Sequence, residues 1–202
     1  WINLLKLKVS YGEQGNDNLS SISYPWHAYA DMYTASYDET SKSYSFSMIQ
    51  KGNEELTWET SKAWNFGVDF ELFKNRLNGS FEYYVRNTKD LLFFKDLPLS
   101  SGISVSSYPA NIGSMRNQGF EFTIDGTIIR TRDIEWSLNA NISHNSNKIT
   151  DLDQELIYSS RIIKKGGSVY NAYMIKYAGV NHDNGKALFY KDEVDADGNI
   201  TG

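Results

Sequence analysis

The feature that most constrains this chain is an alternation of apolar and polar residues that runs longer than an ordinary sheet requires. From 64 to 72, Trp64, Phe66, Val68, Phe70 and Leu72 fall on one face, and Asn65, Gly67, Asp69 and Glu71 on the other. A period of two is a strand. After the charged turn Lys74-Asn75-Arg76 the pattern resumes, with Leu77, Gly79, Phe81, Tyr83 and Val85 opposite Asn78, Ser80, Glu82, Tyr84 and Arg86. The pair predicts an antiparallel hairpin whose strands exceed the usual ~5–6 residues. A tilted strand crossing a bilayer needs ~9–11 residues, with one face to lipid and the other to a polar lumen.

The alternation recurs along the chain. A strand over 3–11 sets Leu5, Leu7, Val9 and Tyr11 against Leu4, Lys6, Lys8 and Ser10. Another over 111–128 sets Phe120, Phe122, Ile124 and Ile128 against Glu121, Thr123, Asp125 and Thr127. A third over 134–145 sets Trp136, Leu138, Ala140 and Ile142 against Ser137, Asn139, Asn141 and Ser143. A sixth strand is expected over 168–178 and a short one over 186–191. The fold class is therefore all-β, an antiparallel up-and-down meander. A long connection at 12–56 and moderate ones at 98–109 and 148–166 alternate with short turns at 74–76 and 130–133. Short turns on one rim and long loops on the other are the asymmetry of an outer-membrane barrel. Asn and Ser are depleted in strands generally, so their row over 135–145 suits a water-filled interior. The rival is a soluble carbohydrate-binding β-sandwich, in which the apolar faces meet each other across a core.

Composition narrows the function. No run of 18 apolar residues occurs, which excludes a transmembrane helix but not a barrel. A net charge of -5 argues against nucleic acid, which wants a basic partner. The absence of cysteine excludes a disulfide scaffold and thiolate metal sites. The histidines, His27, His144 and His182, are too scattered for a metal site, and no cofactor or catalytic motif is present. Glu193, Asp195 and Asp197 before Gly198 resemble half of a calcium loop, but a solvated turn explains them as well. The chain opens directly in a strand and closes in turn-like sequence, so it reads as part of a longer polypeptide.

The 12–56 connection is long enough to be functional or to contain short elements of its own. It is rich in Ser, Asn, Asp and Tyr, and a short helix is expected near 27–34. Trp26, Tyr29 and Tyr33 are its candidate contact residues, with three readings open: packing of the loop on itself, stacking on a sugar face, and contact with a protein partner. Trp58, Trp64 and Trp136 fall near strand ends, where rings form interfacial girdles or simply pack. Asp69, Glu71, Asn139 and Asn141 are expected to face the lumen. Asp69 and Glu71 share a strand face, where a bond to a plug or to water accounts for them better than acid–base catalysis.

Four stretches carry a family resemblance: LKLKVSYGEQGNDN (5–18), LTWETSKAWNFGVDFELFKNRLNGSFEYYVRNTKDLL (56–92), NIGSMRNQGFEFTIDG (111–126) and IEWSLNANISHNSNKI (134–149). In this order they resemble the barrel of SusC/RagA-type TonB-dependent outer-membrane transporters of Bacteroidetes. The resemblance implies a ~22-stranded transmembrane barrel with a plugged lumen, of which 1–202 is a part carrying about six strands, with 12–56 as a long extracellular loop. It implies a protein of the Gram-negative cell outer membrane, not an enzyme. Such a protein imports oligosaccharide or peptide cargo, is powered by TonB through a region N-terminal to this chain, and is capped by a SusD-like surface lipoprotein. The plug is absent from these 202 residues.

Overall fold

The computed structural model describes residues 1–20 and 22–191. The long strands are β1 (Ile2–Asn16), β4 (Glu59–Leu72), β5 (Leu77–Lys89), β8 (Gly113–Arg130) and β9 (Glu135–Leu152). They form one antiparallel sheet in the order β1-β4-β5-β8-β9. Between them lie β2 (Met32–Asp38) with β3 (Ser43–Gln50), and β6 (Leu92–Asp96) with β7 (Ser107–Asn111), each pair a hairpin of its own. Two smaller hairpins follow, β10 (Leu156–Tyr158) with β11 (Arg161–Ile163) and β12 (Tyr177–Val180) with β13 (Ala187–Phe189).

Register fixes which side chains share a face. One face carries the row Leu7, Val68, Phe81, Phe122 and Ile142, flanked by Val9, Phe66, Tyr83, Phe120 and His144 and by Leu5, Phe70, Gly79, Ile124 and Ala140. The opposite face carries Lys6, Asp69, Ser80, Thr123 and Asn141, and next to them Leu4, Glu71, Asn78, Asp125 and Asn139. Nothing covers the apolar face among the described residues. Leu7 is 73% exposed and Ile142 59%. A sandwich would place a second sheet there, and none does. The sheet is a single layer, polar on one side and apolar on the other.

Turns behave as their lengths predict. Residues 73–76 close β4 onto β5, with Phe73, Lys74 and Asn75 all left-handed (φ 54, 57 and 63). Phe73 N–H donates to the Trp1 carbonyl (2.7 Å), and Lys74 N–H to Asn3 Oδ1 (2.9 Å), so the turn is held by the start of β1. The buried core is small and lies at the opposite rim, where Ala110, Ile112, Ile149, Leu156 and Ile163 pack with Phe93, Met115 and Leu152. Ile149 is fully enclosed.

Three expectations are refined. First, 12–56 holds short elements of its own, one of the two readings its length allows. β1 continues to Asn16, and the connection contains the β2–β3 hairpin. The helix expected near 27–34 is only a 3-10 turn over Pro25–His27, because from Tyr33 the period is again two and the chain enters a strand. Second, the strand expected over 111–128 is broken at Ile112 into β7 and β8. Third, the sixth strand over 168–178 does not form. Gly166, left-handed at φ 83, turns the chain so that its N–H bonds to the Ile149 carbonyl and Ile149 N–H to the Gly167 carbonyl. Asn147 Oδ1 then accepts from Val169 N–H (2.8 Å) and Ser168 Oγ (3.1 Å). This segment is thereby tied across the end of β9, leaving only β12 at Tyr177–Val180. The calcium-like run at 193–198 lies outside the described residues.

Candidate barrel wall and loop cleft

The polar face is cross-linked between strands. Lys8 Nζ reaches Asp69 on β4 and Glu82 on β5, both at 2.7 Å. It spans two strand spacings because Gly67 lies beneath it: a Cβ there would meet Lys8 Cε at 2.7 Å. The same device recurs over Gly119, where Tyr84 Oη on β5 donates to Asn145 Oδ1 on β9 (2.7 Å) across β8. Asn139 Nδ2 donates to Asp125 Oδ1, and Asn147 Nδ2 to Asn117 Oδ1 (2.6 Å). These exposed contacts are individually weak, but together they set the side chains of one face in fixed rows.

Asp69, Glu71, Asn139 and Asn141 share this face. Asp69 and Asn141 stand in one row and Glu71 and Asn139 in the next, three strand spacings apart, roughly 14 Å. They line a wall and do not converge on a point. Asp69 is matched by Lys8. No group of His, Cys, Asp and Glu capable of holding a metal occurs among the described residues.

On the apolar face the rows end in aromatics. Tyr11 and Trp64 pack with their rings tilted by 41° at 4.6 Å between centroids at the rim of the long connections, and Trp136 stands at the rim of the short turns. From Leu72 to Trp64 the apolar rows extend about 26 Å along the strand at ~3.3 Å per residue. At a tilt of ~40° that is roughly 20 Å of height, near the ~25 Å band of a membrane barrel. Trp64 sits within β4 and not at its end. What it marks is the boundary of the apolar rows, because the next row is Glu13, Lys62, Asn87, Arg116 and Lys148.

The loops at that rim form an anchored platform. Gln50, buried, accepts from Tyr24 N–H (3.1 Å) and donates to the carbonyls of His27 (3.2 Å) and Tyr24 (3.4 Å). Asn53 Nδ2 donates to the Pro109 carbonyl (3.1 Å). Asn111 ties Thr57 by two bonds, donating Nδ2–H to its carbonyl and accepting its N–H, both 2.8 Å. Asp31 accepts from Lys51 Nζ (2.9 Å) and Gly52 N–H (2.9 Å) at the base of the β2–β3 hairpin. The Lys51 ammonium, and then the Gly52 N–H, hold the Asp31 carboxyl below the usual carboxylate range.

This platform brings Trp26 and Tyr29 together and leaves Tyr33 apart. Trp26, 89% exposed, and Tyr29 line an open cleft of about 480 Å³ with Leu19, Pro25, Leu56 and Leu92, and with Trp58, which lies against Gly15. Asp17, Asn18, Ser20 and Thr57 add polar groups to the same walls. Tyr33 is on β2, where it shares an exposed face with Tyr37, Tyr44 and Phe46. Trp58 is a cleft residue that the sequence does not single out as one. Its signal is its place just before β4 in a connection whose other end carries Trp26.

A single-layer sheet with an apolar band between aromatic rows, a polar face and loops gathered at one rim is a segment of a transmembrane β-barrel wall. The chain belongs to the TonB dependent receptor-like β-barrel family, which matches residues 1–196. A TonB-dependent receptor of Formosa agariphila is 36% identical, covering 89% of this chain and 17% of that protein. The TonB-dependent receptor SusC of Bacteroides thetaiotaomicron is 32% identical, covering 86% of this chain and 18% of its own length. The structure of the RagAB peptide transporter matches all of this chain and 22% of its counterpart at a TM-score of 0.71 and 33% identity. The open-open state of the RagAB peptide importer gives a TM-score of 0.73 at 30% identity. The chain thus spans about a fifth of the length of the proteins it matches.

Proposed function

We propose that this chain is part of the wall and of the outer loops of a TonB-dependent importer in the outer membrane of a Gram-negative bacterium. The observation that carries this is the uncovered apolar face, of roughly bilayer height and rimmed by aromatics, on a sheet whose other face is polar. In this reading the apolar rows meet lipid, while Asp69, Glu71, Asn139 and Asn141 line the lumen. These residues have no catalytic role. They are wall, and the energy of transport enters through TonB, acting on a region N-terminal to this chain.

The cleft of Trp26, Tyr29 and Trp58 contacts cargo. Exposed rings on an anchored loop offer flat apolar surface at little entropic cost, which suits an oligosaccharide or a peptide. The β2–β3 hairpin, with Tyr33, Tyr37, Tyr44 and Phe46 on one open face, contacts a SusD-like surface lipoprotein. A two-stranded hairpin is marginal alone in water, and its exposed aromatic face fits a partner surface. The full-length protein carrying Trp26→Ala and Tyr29→Ala should bind cargo more weakly and keep its lipoprotein, whereas Tyr37→Ala with Phe46→Ala should do the reverse. Unchanged binding of both partners in both variants would overturn the assignment.

A further inference from the structure

Beyond the aromatic row of Tyr11 and Trp64, the same face of the sheet turns cationic. Lys62, Arg116 and Lys148 stand in the next row, two residues further along each strand, or roughly 7 Å. Lys89 follows on β5, and Lys165 leans in from the loop after β11. Against these five cations stand Glu13, paired with Lys62 (3.0 Å), and Asp151, paired with Lys165 (2.8 Å). Arg116 Nε donates to Asn87 Oδ1 (2.7 Å), and its terminal nitrogens have no hydrogen-bond partner among the described residues. Lys89 and Lys148 have no ion-pair partner among the described residues. The chain as a whole is acidic at -5, so a cationic strip of this kind is a local departure.

Two adjoining clefts share Arg116. One is lined by Lys62, Lys89 and Arg116 beside the Tyr11 and Trp64 rings, the other by Arg116, Lys148 and Lys165. Aromatic rows mark the level of the lipid headgroups, and basic groups at that level attract anionic ones. We propose that this strip is a binding site for the net-anionic phosphate headgroup of a membrane lipid whose acyl chains lie on Val9, Phe66, Tyr83 and Phe120. Guanidinium and ammonium donors suit phosphate oxygens, and an acyl chain leaving the phosphate runs directly onto the apolar rows. The occupant is a lipid of the surrounding leaflet, since only an amphiphile satisfies both surfaces at once. The inference rests on the reading above that this face meets lipid.

The test uses the full-length protein in mild detergent, titrated with phosphatidylglycerol or phosphatidylcholine and read by native mass spectrometry. The wild type should prefer phosphatidylglycerol. Lys62→Gln, Arg116→Gln and Lys148→Gln together should weaken that lipid at least about tenfold and leave phosphatidylcholine unchanged. Equal affinity for the two lipids, or an unaffected triple variant, overturns the proposal. Should the triple variant fail to fold, Lys148→Gln alone, which breaks no ion pair, should lower phosphatidylglycerol affinity about fivefold, and no change overturns the site. A dye at Ile142→Cys, quenched by brominated acyl chains, separates the two failures. Quenching without a headgroup effect sinks this site alone, and no quenching sinks the lipid-facing reading with it.

Discussion

A charge placed at Ile142 probes the two-sidedness of the sheet most sharply. Ile142 lies in the row of Leu7, Val68, Phe81 and Phe122, midway between the Trp64 row and the Leu72 row. An arginine at the bilayer midplane of a barrel costs about 2–4 kcal/mol, falling to ~0–1 near the interface. Ile142→Arg should therefore lower the folding constant by about 30- to 900-fold. Its chain neighbour Asn141 points to the other face, in the row of Asp69 and Thr123 and diagonal to Glu121 and Asp125, two residues either side of Thr123 on the facing strand. Asn141→Arg should cost less than ~1 kcal/mol, as surface changes do. Ser146→Arg, in the Trp64 row, should also stay within ~1 kcal/mol. The assay is refolding of the full-length protein into phospholipid vesicles across a urea series, with the unheated electrophoretic shift as the readout. Equal penalties at 141 and 142, or a cost below ~1 kcal/mol at 142, would refute the reasoning.

Other consequences follow from particular contacts. The Asp31 carboxyl is depressed by Lys51 and Gly52, so the clasp contributes fully above the ordinary carboxylate pKa of ~3.9 and is lost as pH falls through the lower folded value. Hydrogen exchange at the Gly52 amide should accordingly rise only in that acid window, and Asp31→Asn should abolish the step. Lys74→Gly relieves a left-handed backbone at φ 57, and should raise the unfolding free energy by up to ~1 kcal/mol, read as a higher urea midpoint at unchanged slope. Trp58→Ala should lower cargo affinity together with Trp26→Ala, in a double-mutant cycle with coupling of about 0.5 kcal/mol or more; independent effects would separate the two rings.

The five long strands were legible because each needs only a period of two and a boundary, both printed in the residues of 64–72, 77–86 and 134–145. The β2–β3 hairpin carried the same signal in Tyr33, Ala35 and Tyr37 against Tyr44, Phe46 and Met48. It is obscured by the Ser-, Asn-, Asp- and Tyr-rich sequence around it, in which the period is lost. The segment after Ser168 alternates well enough to suggest a strand, but pairing is a tertiary decision. There Gly166 and the Asn147 side chain decide it, from a distance in sequence that no local pattern reports. Trp26 and Tyr29 were legible as an aromatic cluster. The cleft was not, since Gln50, Asn53 and Asn111 build it by hydrogen bonds to backbone groups in other loops.

The deciding property of this wall is which side faces hydrocarbon. Nitroxides placed one at a time from 138 to 145 on β9, in the full-length protein reconstituted into bilayers, measure this directly through their access to oxygen and to a water-soluble nickel chelate. Positions 138, 140, 142 and 144 should favour oxygen, and 139, 141, 143 and 145 the chelate, in strict alternation. A flat profile, or one with the two sets exchanged, would contradict the account.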